Sequence, residues 1–453
     1  MRMMQCRSLV MTTVAAGVAL VFAAPGAGQW PSDDATPAEF SLAINAKILC
    51  SGIWVQGRDP ELHVASDLRR FDHFGWGDDF SYEIDQERRR VTLSSPRSPH
   101  DRVAQYNGDQ GCAVLPRGMD DVQFTPSEVG QDWPNRSWQR WPMGERKSDG
   151  ALPREVDAQA LDEALDWAIG NHEHGQNTRA FVVVYKGRII GERYAPGIPR
   201  DMPHLSWSQG KSITAALIGI LVEQGELTLD QPAPVAEWAE DGRRGITIAD
   251  LLHMSSGLDF NNFGLGNENS LSTDNHHFRI YFDGLNVFEH AVSFPLAVEP
   301  NTRWRYLNSD PLTLGRIVRQ TVEARGDDYH AFPWVALFDR IGIKNAVLET
   351  DAWGNFILTG YDYLSARDWA RFGLLHLQDG VWEGERILPE GWVDFVSTPA
   401  PASEARDYGG QFWLNAGGQY DRIPRDAFWP SGFMGQNTVI IPSRDIVIVR
   451  LGP

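Results

Sequence analysis

The sequence is poor in cysteine, in positive charge and in long apolar runs, and each shortage excludes something. Three cysteines in 453 residues rule out a disulfide-dense scaffold. With no histidine cluster near them a zinc site has little support, and neither a metal nor a cofactor is expected. Lys and Arg total 41 against 60 Asp and Glu, a formal net charge of −19. Nucleic acid and anionic membrane surfaces are bound through basic patches, so neither is an expected partner. The apolar run at 9–24 is shorter than the roughly 20 residues a spanning helix needs. No internal repeat or low-complexity tract occurs, which argues against solenoid and propeller architectures.

What is present begins with an export signal. Arg2 and Arg7 precede the apolar run, and Pro25-Gly26-Ala27-Gly28 supplies small residues for cleavage. Residues 1–28 are therefore read as a signal peptide, and the mature protein as exported, periplasmic or secreted. No stable membrane insertion is expected after cleavage; an uncleaved anchor is the alternative. Removing the peptide removes Cys6 and leaves Cys50 and Cys112. An even pair in an exported chain points to one disulfide, with two buried thiols as the alternative. His276 and His277, being adjacent, diverge on any regular element and are read as a surface loop.

Three stretches differ in character. Residues 29–135 hold both mature cysteines and strand-like runs at 80–84, 90–93 and 111–115, and read as a small N-terminal accessory domain. The segment 136–154, rich in Pro, Trp and charge, reads as a linker. The third stretch, 155–453, opens with a helix capped by Asp157. A hairpin turning at Lys186-Gly187 follows, then an apolar helix that stops at Gly225. Helices and long loops fill about 228 to 400, and strands return at 411–415, 438–441 and 446–451. Strands at both ends with helices between them predict an α+β fold. Its antiparallel sheet is flanked by helices and carries an inserted helical subdomain.

Three short segments in this stretch can carry chemistry. Ser208 and Lys211 lie three apart at the start of the apolar helix, so both point to one face. A serine hydroxyl is a weak nucleophile until a base removes its proton. A lysine serves when burial and a helix N-terminus disfavour its ammonium form. That helix end also offers the Ser208 N–H as half of an oxyanion hole. Tyr306 and Asn308, two apart before another helix, can enter a cleft together. The phenol can relay a proton, and the amide can hold Lys211 and a substrate carbonyl. Ser431-Gly432-Phe433 leads into a late strand, where glycine allows close approach to the backbone.

Taken in this order, the segments resemble the serine β-lactamase and penicillin-binding-protein superfamily, with its Ser-x-x-Lys motif. The likeness is closer to the class C-like branch, which has Tyr-x-Asn, and within it to esterases and 6-aminohexanoate-dimer hydrolases. Leu251-Leu252-His253-Met254-Ser255-Ser256-Gly257-Leu258 and Gly225-Glu226-Leu227-Thr228-Leu229-Asp230 also resemble segments of that family. The resemblance covers about 155 to 451. It implies Ser208 as nucleophile, Lys211 as its proton acceptor and Tyr306 as general acid/base. Asn308, Ser431, Gly432 and the Phe433 N–H would then contact substrate. Pro430 stands where β-lactamases carry a lysine that meets a substrate carboxylate, and the next basic residue in sequence is Arg425. The implied activity is hydrolysis of small esters or amides through an acyl-enzyme. A β-lactamase or D-amino-acid peptidase is one alternative, and a ligand-binding relative without turnover another.

Overall fold

The computed structural model describes residues 35–68, 79–129, 138–147, 150–170, 177–262 and 274–452. The signal-peptide reading of 1–28 lies outside them. No helix among the described residues is long and apolar enough to cross a membrane.

Helix α1 (Pro37–Trp54) starts with a capping box in which Thr36 and Glu39 satisfy each other's backbone N–H groups, with Pro37 in the first turn. Apolar residues surround this helix, and it is buried from Ala38 to Gly52. Its polar residues, Lys47 and Ser51 among them, are buried with the rest and must find partners inside the core. Helix α2 (Pro60–Ser66), capped by Asp59, follows. Strands β1 (Ser81–Asp85), β2 (Arg90–Ser94), β3 (Arg102–Tyr106) and β4 (Cys112–Val114) form an antiparallel meander against α1. Cys50 on α1 and Cys112 on β4 are joined by a disulfide, with Cα atoms 6.2 Å apart. The stretch expected as a linker is strapped along a later helix, where Arg371 donates to the carbonyls of Pro142 and Gly144.

The main sheet is built from both ends of the third stretch. Helix α3 (Ala158–Gly170) leads to the hairpin β5 (Ala180–Tyr185) and β6 (Arg188–Tyr194). A small sheet joins β7 (His204–Leu205), β8 (Ala346–Leu348) and β9 (Asp362–Leu364). Between β7 and β8 lie the helices α4 (Gly210–Glu223), α5 (Ile248–Leu252), α6 (His276–Phe282), α7 (Val287–Val292), α8 (Ser309–Ala324) and α9 (Asp339–Ile341). Helix α10 (Ala366–Leu377), the short hairpin β10 (Val381–Trp382) and β11 (Glu385–Arg386), and α11 (Trp392–Ser397) follow. The chain ends in β12 (Trp413–Leu414), β13 (Phe428–Trp429), β14 (Ser431–Gly432), β15 (Gln436–Ile441) and β16 (Ile446–Leu451).

In the seven-stranded sheet the order is β12-β13-β15-β16-β5-β6, with β14 also on β15. The final strand β16 is thus central, paired with β5 along all six residues from Ile446↔Tyr185 to Leu451↔Ala180. Gly373 of α10 packs on Val447 and Thr438, while Leu165 and Leu161 of α3 pack on Gly191. Gly191 is in register with Val183 and Ile448, the neighbour of Val447, so the two helices cover opposite faces. This is the α+β arrangement expected, with a helical subdomain between the strands. One hydrophobic cluster runs through all of it, α1 included.

Candidate active site

Ser208 sits in a tight turn between β7 and α4. The residue before it, Trp207, has φ of 52°, a left-handed conformation that a bulky side chain adopts only under constraint. Three contacts supply that constraint. The Ser206 N–H donates to the Asp362 carbonyl at 2.8 Å. The Thr438 hydroxyl of β15 donates to Gln209 Oε1 at 2.8 Å. Gly432 of β14 presses against the Ser206 carbonyl so closely that a Cβ there would lie 2.0 Å from that oxygen.

One turn along α4, Lys211 points back at the serine. Its Nζ donates to Ser208 Oγ at 2.8 Å and to the Thr359 carbonyl at 3.0 Å. The lysine is 1% exposed. Burial holds its pKa well below the usual lysine range, against the opposing charge of Asp362. Asp362 is itself pushed up to about 8 by burial. This environment disfavours the ammonium form of Lys211 beside the hydroxyl.

Tyr306 completes the cluster. Lys211 Nζ lies 4.9 Å from the centre of its ring, which packs 5.6 Å from Trp413 and 5.9 Å from Tyr408. Burial pushes the phenol above its normal range, opposed by its contact with Ser208. It therefore stays protonated at neutral pH and can give a proton away. Asn308 is fully buried, and its Nδ2 donates to the Tyr281 hydroxyl at 3.0 Å. The Tyr281 hydroxyl donates in turn to the Thr359 carbonyl at 2.6 Å. The link expected between Asn308 and Lys211 thus runs through Tyr281 and Thr359. The Oδ1 of Asn308 is buried with no hydrogen-bond partner among the described residues.

The structure brings Ser431, Gly432 and Phe433 to the same place. Strand β14 pairs Ser431 with Asn437 and Gly432 with Gln436, and the Phe433 ring meets Trp207 edge-on at 5.6 Å. Arg425 is exposed and its guanidinium lies over Gly418. The cation at this turn is Arg450 of β16, which donates to the Met434 carbonyl at 2.6 Å and to Thr178 Oγ1 at 3.1 Å. Nothing in the local sequence near Pro430 signals it, because cross-strand pairing carries it there.

His276 and His277 are not a surface loop. They begin α6, and the His277 ring lies 5.8 Å from Tyr281. Burial, with the charge of Lys211, pulls His277 down to about 3. The apolar run Phe278, Ile280, Tyr281 and Phe282 was the overlooked signal for a helix docked into the core. Tyr281, Asp362 and the Thr359 carbonyl went unread for the same reason: each reaches the site through tertiary packing alone. Among the described residues no group of three or more His, Cys, Asp or Glu is placed to hold a metal.

Residues 158–452 match the family described as Beta-lactamase. Over 293 residues the chain is 26% identical to the 6-aminohexanoate-dimer hydrolase of Paenarthrobacter ureafaciens, covering 60% of this chain and 72% of that protein. A solved Bacillus anthracis structure named for a 6-aminohexanoate-dimer hydrolase aligns with a TM-score of 0.53 at 22% identity, over 85% of this chain and 89% of its own. A Bacteroides dorei structure named for a beta-lactamase gives 0.52 at 18% identity, over 65% of this chain and 90% of its own. At such identities the structural likeness is one of fold. The 85% coverage extends that likeness beyond 158–452 into the N-terminal elements.

Proposed function

The chain belongs to the beta-lactamase family, and from that premise we propose that it is a serine hydrolase cleaving an ester or amide bond of a small molecule through an acyl-enzyme on Ser208. The observation that carries this reading is the buried Lys211 amine, 2.8 Å from Ser208 Oγ. The neutral amine takes the hydroxyl proton as Oγ attacks the substrate carbonyl carbon. Negative charge develops on the carbonyl oxygen, facing the backbone N–H groups of Ser208 and Phe433. Tyr306 passes a proton to the departing alcohol or amine as its bond to the acyl carbon breaks. Water then attacks the acyl carbon, losing a proton to Tyr306, while Lys211 returns its proton to Ser208 Oγ as the ester bond breaks and the acid departs.

The reading of substrate as neutral or cationic, in the manner of a 6-aminohexanoate-dimer hydrolase or esterase, rests on Pro430 and on the net charge of −19. A β-lactamase or D-amino-acid peptidase is the second reading. Arg450 favours it by bringing a guanidinium to the third segment, although Met434 and Thr178 already engage that group. Fluorophosphonate labelling followed by turnover of p-nitrophenyl butyrate, linear amide dimers and nitrocefin tests both. Ser208→Ala should abolish labelling and lower kcat by at least ~10³-fold. More than a few per cent residual activity would sink the acyl-enzyme assignment. A kcat/KM for nitrocefin equal to the ester value would transfer the case to the second reading.

A further inference from the structure

The N-terminal helix contributes a buried lysine directly behind the catalytic turn. Lys47 and Glu349 have side chains with no solvent exposure, and their charged atoms are 2.7 Å apart. Lys47 belongs to α1 and Glu349 to the segment after β8, so the pair joins two regions that are 302 residues apart in sequence. Both groups are also tied to the strand that carries the disulfide. Lys47 Nζ donates to the Cys112 carbonyl. The Cys112 N–H donates to Glu349 Oε1 at 2.9 Å, and Ser51 Oγ does so at 2.6 Å. Gly111 makes room, since a Cβ there would meet Glu349 Cγ at 2.5 Å.

From this clamp a short path leads to the nucleophile. Lys47 Nζ sits 4.3 Å from the centre of the Tyr361 ring. That ring packs 5.5 Å from Trp207 and 5.7 Å from Tyr281. Trp207 is the left-handed residue that precedes Ser208, and Tyr281 holds the Thr359 carbonyl against which Lys211 is set. The Glu349 N–H also donates to the Tyr361 carbonyl at 3.1 Å, which fixes the backbone of this segment from the same side.

A buried ion pair is weak evidence for stability, because desolvation consumes most of its Coulomb attraction and neutral replacements of similar shape often cost nothing. Its location then argues for another role. We infer that Lys47 is a positioning residue for the reaction: from α1 it holds Glu349 and the Tyr361 ring, and through them fixes Trp207 and the aim of Ser208. The N-terminal unit on this view completes the active site. An amine held against the face of an aromatic ring in a dry environment steadies that ring, and with it the strained residue packed against it.

The inference rests on Ser208 being the nucleophile, and wild-type labelling by fluorophosphonate establishes that separately. The decisive protein is the double variant Lys47→Met/Glu349→Gln in the full chain. It leaves no unpaired charge, and Gln keeps an acceptor for Ser51 and Cys112. A purely structural pair predicts full activity in this variant once it is folded. Positioning predicts a native-like melting curve, kcat and Ser208 labelling rate at least ~10-fold lower, and KM within about twofold. Tyr361→Leu, which leaves the ion pair in place, should lower kcat similarly and decides the matter should the double variant not fold. Wild-type kcat in either folded variant overturns the inference.

Discussion

Gly432→Ala is the substitution whose outcome the geometry sets most tightly. The added Cβ would stand 2.0 Å from the Ser206 carbonyl oxygen, and that oxygen is backbone in the turn leading to Ser208. Carbon and oxygen do not approach closer than roughly 3 Å without severe repulsion, so β14 and the turn must part by about 1 Å. Ser206 cannot retreat freely, because its N–H is held by Asp362 and its neighbour Gln209 by Thr438. Strand β14 moves instead, taking with it the adjoining Phe433, whose N–H leaves the oxygen it would stabilise. Losing one such donor costs ~10²–10³-fold in kcat, while the overpacking itself costs about 1–3 kcal/mol of stability. Steady-state kinetics on p-nitrophenyl butyrate and thermal unfolding followed by circular dichroism read the two effects separately. A variant that melts earlier yet keeps kcat within about threefold would refute the placement of Phe433 in the oxyanion hole.

Two further outcomes follow from the site and the disulfide. Lys211→Arg should be nearly as inactive as Lys211→Ala, since arginine cannot release a proton near neutrality, and wild-type kcat/KM should rise with pH through the depressed lysine pKa. The sign for stability is opposite to that of a paired lysine: the unfolded chain binds the proton that the folded site resists, so stability falls as pH drops below 10.5. Lys211→Met should accordingly melt above wild type at pH 6, with the gap closing toward pH 10.5; a lower melting point at pH 6 would contradict the neutral amine. For the disulfide, denatured unreduced protein should give no free thiol with Ellman's reagent. Its 62-residue separation implies about 4 kcal/mol of loop entropy lost in Cys50→Ala/Cys112→Ala, and two titratable thiols would refute the bond.

The sequence was most legible where local pattern and packing agree. The hairpin 180–194 and the last strand fell where alternation and turn residues placed them, because neighbouring strands enforce those signals. Ser208, Lys211 and Tyr306 were singled out by the resemblance of their motifs, in that order, to the Ser-x-x-Lys superfamily, and they do meet in space. What could not be read depends on distant partners. Tyr281 lies on a helix that adjacent histidines disguised, and Thr359 acts through its carbonyl, which any residue could supply. Arg450 reaches the third segment across a strand pair, and Lys47 pairs with a glutamate 302 residues away. Such groups leave no periodic trace along the chain.

The place of β16 also bears on how the chain reaches this state. A strand at positions 446–451 lies in the middle of the sheet, and its partner β5 at 180–185 was made some 260 residues earlier. Closing a loop of that length costs about 5 kcal/mol of chain entropy before any pairing repays it. Until that final segment is available, β5 has only β6 beside it, and α10 lacks the Val447 surface it covers. The main sheet therefore cannot assemble until β16 has paired with β5.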